Sequence, residues 1–147
     1  MKKVLIICTG NSCRSIMAEG LVNHYLKDDW QAFSAGTHPS HVHPYAIKAL
    51  EELGIETGYL RSKSISEFWE NEDLDLVITV CDHAQENCPV FYRNIPRIHI
   101  SFPDPVRYGA WEEEAGMVGF REVRDDICAR LLPELKTNEP GQSALQN

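Results

Sequence analysis

The chain has 147 residues, 43% of them apolar and 24% charged, the make-up of one soluble domain long enough to bury its own core. Fourteen basic residues against 22 acidic ones give a formal net charge of −8, which argues against binding nucleic acid or anionic lipid. No apolar run approaches the roughly 18 residues that span a bilayer, and the run after Met1-Lys2-Lys3 stops at Thr9-Gly10-Asn11-Ser12, too soon for a secretion signal.

Residues 3–8 are β-branched and apolar on both faces, which predicts a buried parallel strand. Ile16, Leu21, Val22, Tyr25 and Leu26 recur at helical spacing and predict a helix over 15–27. A second strand is expected at 31–35, stopped by Gly36. Pro44 then opens a helix through Leu53, with Gly54 at its C-terminal end. Strands follow at 74–80 and 97–100, and a last long helix at about 111–132. From Pro133 the chain turns polar, so the domain is expected over 1–135 with a disordered tail over 136–147.

Strand and helix alternate throughout, which predicts a single α/β domain: a four-stranded parallel sheet with helices on both faces. Ligands in such folds bind beyond the carboxyl ends of the strands, and Cys8, Cys81 and Asp104 each stand at or just after one. One crevice can gather all three.

The stretch Cys8-Thr9-Gly10-Asn11-Ser12-Cys13-Arg14-Ser15 joins the first strand to the first helix. A tight turn of small residues can aim successive N–H groups into one hollow, and the following helix adds its positive end. Arg14 supplies a planar fork for two oxygens. All of this favours negative charge and suits a thiolate at Cys8, to which Ser15 can donate a hydrogen bond. Asn11 tolerates the positive φ such a turn needs. Thr9, Gly10, Asn11, Ser12, Cys13, Arg14 and Ser15 are therefore the expected oxyanion-binding residues. The plain alternative is a strand-end cysteine followed by an ordinary turn.

With its flanking strand and helix, the loop resembles the catalytic loop of the low-molecular-weight protein tyrosine phosphatase superfamily, Cys-x5-Arg-Ser near the N-terminus. The resemblance implies Cys8 as nucleophile and Arg14 as oxyanion binder. Asp104, stiffened by Pro103 and Pro105, is otherwise an ordinary Asp-Pro turn. That superfamily carries its general acid in such an Asp-Pro, which raises Asp104 to that role.

A phosphatase needs one cysteine, yet Cys81-Asp82-His83-Ala84-Gln85-Glu86-Asn87-Cys88-Pro89 places two more after the third strand. Two cysteines, even with His83, make a poor metal site, and no Cys-x2-Cys partner exists elsewhere, so neither metal nor cofactor is expected. They could be half-buried packing residues. They could also form a relay in which Cys8 attacks an oxyanion, Cys81 attacks Cys8, and Cys88 attacks Cys81. Such a relay moves two electrons onto the central atom, which arsenate accepts and phosphate does not.

The three-cysteine pattern, with Met17-Ala18-Glu19-Gly20, Pro103-Asp104-Pro105 and the stretch 120–127, resembles the thioredoxin-coupled arsenate reductases. Paired tyrosines typical of phosphotyrosine phosphatases are missing after the Asp-Pro, where Val106-Arg107-Tyr108 stands. The resemblance implies a cytoplasmic, monomeric enzyme that binds arsenate, with phosphate or sulfate as mimics. It takes electrons from thioredoxin through a Cys81–Cys88 disulfide. The alternative is a phosphatase using Cys8, Arg14 and Asp104.

A continuous helix over 81–88 would hold the two Cα atoms about 10 Å apart, against the roughly 4.4–6.8 Å of a disulfide, so oxidation must unwind it. Some reductases of this family bind a monovalent cation near the positions of Asn11 and Glu19. An acidic residue that helps there is replaced here by Lys63, whose ammonium can stand in for the cation. Cys13 and Cys128 read as structural, and His38, His41 and His43 as solvated or capping groups.

Overall fold

The computed structural model describes residues 1–70, 73–87, 94–106 and 112–137. The first strand, β1, spans Lys2–Cys8. Val4, Leu5, Ile6 and Ile7 are all fully buried, and because successive strand residues face opposite ways, both faces of the sheet are covered there. β2 (Trp30–Gly36), β3 (Leu76–Thr79) and β4 (Arg97–His99) complete a parallel sheet in the order β2-β1-β3-β4. The chain moves outward from β1 to β2 and then crosses back to β3, so its direction reverses between β1 and β3. That gap is where such sheets bind ligands.

The helices are α1 (Arg14–Tyr25), α2 (Pro44–Glu51), α3 (Asp82–Asn87), α4 (Glu113–Arg130) and α5 (Leu132–Thr137). α1 is enclosed all round from Ser15 to Val22 rather than along a stripe. It ends at Tyr25 because the chain must turn into β2, with the Leu26 carbonyl accepting from the N–H groups of Asp29 and Trp30. α2 begins at Pro44, capped by His43, whose Nδ1 accepts from the Tyr45 N–H. It stops two residues short of Leu53, and Gly54 takes the left-handed φ of +74° that closes the turn.

Two further differences from the sequence reading stand at the ends of elements. The strand expected over 74–80 pairs only over Leu76–Thr79, although Leu74 and Val80 remain fully buried. The last helix is interrupted at Leu131, because Pro133 has no N–H to donate back along it and fits only in a first turn. α5 then runs to Thr137, where a polar tail was expected from Pro133. It is docked by buried Leu135, whose carbonyl accepts from Trp30 Nε1 at 3.0 Å. Residues 138–147, the rest of the expected tail, lie outside the described residues. Among the described residues no helix is long and apolar enough to cross a membrane.

Candidate active site

Register brings the functional positions together. Ile7 of β1 lies beside Thr79 of β3, and the Val80 N–H donates to the Ile7 carbonyl at 2.9 Å. Two steps further, the side chains at the ends of the two strands meet: Thr9 Oγ1 is 3.3 Å from Cys81 Sγ. β4 follows β3, with Thr79 beside His99, and the Phe102 N–H donates to the Val80 carbonyl. The Asp104 loop therefore leaves the same edge of the sheet.

The loop over 8–15 is strapped from outside by the segment 37–43. The N–H groups of Thr37, His38, Ser40 and His43 donate to the carbonyls of Cys8, Thr9, Gly10 and Ser12 at 2.8–3.2 Å. Carbonyls held on this outer side cannot face the hollow, which is left to the loop's N–H groups and the start of α1. Gly36 makes the close approach possible, since a Cβ there would sit 2.6 Å from the Thr9 carbonyl oxygen. Asn11 has φ 47°, the left-handed conformation its side chain tolerates.

Beneath the loop a directed hydrogen-bond network fixes Ser15. The Lys63 N–H donates to Asn11 Oδ1 at 2.9 Å, which sets the amide so that Asn11 Nδ2 donates to Ser15 Oγ (2.8 Å) and Ser34 Oγ (2.9 Å). Ser34 in turn donates to Glu19 Oε1. With Ser15 Oγ accepting from Asn11, its own hydrogen is available to Cys8 Sγ, 2.8 Å away. The ammonium of Lys63 stands 3.6 Å from Glu19 Oε1, the position read for it from sequence. Both side chains are buried, and burial pushes the Glu19 carboxyl up and the Lys63 ammonium down, each opposed by the other's charge.

Arg14 is half-buried, and its Nη1 donates to the Phe102 carbonyl at 3.1 Å, tying the loop to the segment that carries Asp104. Asp104 is exposed, with Oδ1 accepting from the Val106 N–H at 3.0 Å. Its charge reaches the loop, where it helps to raise Cys13. Desolvation pushes the Cys13 thiol up to about 11, which leaves it a neutral packing group. Burial likewise raises Cys128 on α4. Cys8, Cys13, Cys81 and Cys128 are free thiols. Cys88, the expected partner of Cys81, lies outside the described residues, as does Tyr108.

The histidines do not gather as a cluster. His43 caps α2 and packs on Phe120 with ring centroids 4.7 Å apart, whereas His38 faces His83 at 5.5 Å. Among the described residues no group of three or more His, Cys, Asp or Glu side chains is arranged to hold a metal ion. Sequence reasoning missed Ser34, which a lone hydroxyl in the strand Ala32-Phe33-Ser34-Ala35 could have signalled. It also missed the contact between Thr9 Oγ1 and His83 Nδ1 at 3.2 Å, which depends on a register no local pattern encodes.

Residues 3–140 match the sequence pattern of the family described as low molecular weight phosphotyrosine protein phosphatase. The chain is 41% identical over 138 residues to an arsenate reductase of Shouchella clausii, covering 94% of this chain and 98% of that one. It is 42% identical over 130 residues to an arsenate reductase of Bacillus subtilis, covering 88% and 92%. Its fold is similar to a structure described as an arsenate reductase in the phosphate binding state, with a TM-score of 0.70, 31% identity and coverage of 95% and 100%. The chain therefore belongs to the low molecular weight phosphotyrosine protein phosphatase family, alongside that family's arsenate reductases.

Proposed function

We propose that this protein reduces arsenate to arsenite. The oxyanion sits in the hollow over 9–15, held by loop N–H groups, the start of α1 and the fork of Arg14. Cys8 Sγ attacks arsenic, assisted by the Ser15 hydroxyl. Asp104 gives a proton to the departing oxygen, which leaves as water, and a Cys8 sulfur–arsenic bond remains. Cys81 then attacks Cys8 Sγ. The sulfur–arsenic pair passes to arsenic, arsenite departs, and a Cys8–Cys81 disulfide forms. Cys88 attacks Cys81, which frees Cys8 and leaves a Cys81–Cys88 disulfide for thioredoxin to reduce.

The observation that carries this reading is the second thiol beside the oxyanion loop: Cys81 Sγ is 3.3 Å from Thr9, the residue next to Cys8. Simple phosphate hydrolysis has no use for it. Thioredoxin as donor, a reducing cytoplasm as location and action as a monomer belong to the same proposal. A second reading, phosphotyrosine phosphatase, is favoured by the complete set of Cys8, Arg14 and Asp104 on one edge of the sheet. Some phosphate hydrolysis is expected under either reading, slow if the protein is a reductase, because tetrahedral arsenate and phosphate have the same shape.

The test follows NADPH oxidation by the protein with arsenate, thioredoxin and thioredoxin reductase. Sustained oxidation that is lost in Cys81→Ser and in Cys88→Ser supports the reductase. No oxidation, beside steady hydrolysis of an aryl phosphate, supports the phosphatase.

A further inference from the structure

Cys81 is 4% exposed, so its thiol proton has no direct path to water, yet only a thiolate attacks a sulfur. Thr9 Oγ1 lies 3.3 Å from Cys81 Sγ and 3.2 Å from His83 Nδ1, and His83 is exposed. A hydroxyl accepts and donates at once, so the three groups form a continuous path: the thiol donates to Thr9 Oγ1, and Thr9 donates to an unprotonated His83 Nδ1. We propose that His83 is the terminal proton acceptor that readies Cys81 for its attack, with Thr9 as the bridge. This rests on the reductase reading above.

The step balances. As Cys81 Sγ bonds to Cys8 Sγ, the sulfur–arsenic bond breaks and its electron pair stays on arsenic, which is reduced. The thiol proton moves to Thr9 Oγ1, the Thr9 proton moves to His83 Nδ1, and the imidazolium releases it to water. Among the described residues, Thr9 joins His83 to Cys81, His38 on the strap faces it at 5.5 Å, and Asp82 precedes it in the chain. Asp82 Oδ1 is engaged by His99 Nε2 at 3.0 Å, whose Nδ1 meets Thr79 Oγ1 at 2.7 Å, so His99 of β4 takes up the carboxylate that precedes His83 in the chain.

His83→Asn separates proton transfer from mere support, because the Asn side chain can accept from Thr9 where Nδ1 did but cannot take up a proton. The experiment uses the full chain in the Cys88→Ser background, where each molecule releases one arsenite. It follows that release after rapid mixing with arsenate, across pH. The expected result is a loss of about 10²-fold at neutral pH from His83→Asn, larger than any loss in aryl phosphate hydrolysis by the same protein. The pH dependence of arsenite release changes with the substitution, and added imidazole restores part of the rate to His83→Ala. Equal rates and equal pH profiles with and without His83 overturn the proposal. If the protein that retains His83 releases no arsenite at all, the reductase reading itself has failed, and the two failures are told apart.

Discussion

The loop after β1 is held by main-chain hydrogen bonds from the segment 37–43 and by the buried network under Asn11, whereas past β3 the main-chain bonds to Ile7 and Phe102 end at Val80 and, among the described residues, Cys81 and α3 meet the loop through side chains. Four loop carbonyls accept from the strap, and Lys63 and Ser62 fasten the same turn from another part of the chain. Cys81 and α3 instead lean on Thr9 Oγ1, His83 and the Asp82–His99 pair. An anion cradle works by being set before the anion arrives, so a turn fixed through its backbone suits it. A cysteine that must attack and then hand on its partner needs links that exchange at little cost, and side-chain hydrogen bonds net only about 1 kcal/mol each. The difference in construction matches the two halves of the proposed chemistry.

The comparison breaks most visibly at the two nucleophiles. Cys8→Ser is expected to lower both arsenate reduction and aryl phosphate hydrolysis by on the order of 10⁴-fold or more, while Cys81→Ser abolishes reduction alone. Steady-state assays on both substrates decide it. Parallel losses in the two variants would mean that the β3 side is part of the cradle after all. Asp104→Asn comes next, with a loss of about 10²–10³-fold in phosphate hydrolysis, where the departing oxygen depends on its proton.

The rigidity of the β1 side is tested by Lys63→Met. It leaves the Glu19 carboxylate buried without its cation, at a cost of about 3 kcal/mol near neutral pH in urea unfolding. Burial already raises the folded Glu19 carboxyl above its ordinary value of 4.5, and losing Lys63 raises it further. A raised carboxyl makes the folded state bind more protons than the unfolded one, so stability falls as pH rises through the folded value. The deficit against the unsubstituted protein is therefore small below about pH 4.5 and grows toward neutrality. A deficit independent of pH would show that Glu19 is not the group left behind. The smallest effect is expected from His99→Gln, which loosens the Asp82 tether by about 1 kcal/mol. Amide exchange should quicken over 82–87 and stay unchanged over 9–15.

Much of this was legible in the sequence, for identifiable reasons. β1 is apolar on both faces, and only a strand covered on both sides needs that. The loop announces itself through Gly10-Asn11 between strand and helix, and Asn11 adopts the left-handed φ its side chain tolerates. The strap did not announce itself, because the 37–43 segment acts through its N–H groups, which every residue but proline carries. His43 proves a cap and a packing partner of Phe120, a role that depends on where α4 lies. α5 was hidden by Pro133, which marks a break in α4 and at the same time fits the first turn of a new helix. Parallel pairing joins residues far apart in the chain, so the meeting of Thr9, Cys81 and His83 had no local signature.

The central claim is that a second and a third cysteine supply the two electrons that reduce arsenic and carry the resulting disulfide away from Cys8. The most direct measurement maps the disulfides after one turnover with arsenate and no external reductant, by digestion and mass spectrometry of the full chain. The relay predicts a Cys81–Cys88 bond in the unsubstituted protein and a trapped Cys8–Cys81 bond in Cys88→Ser, each with one arsenite released per chain. Free thiols at all five cysteines with no arsenite released, or a Cys8–Cys13 bond in their place, would contradict it.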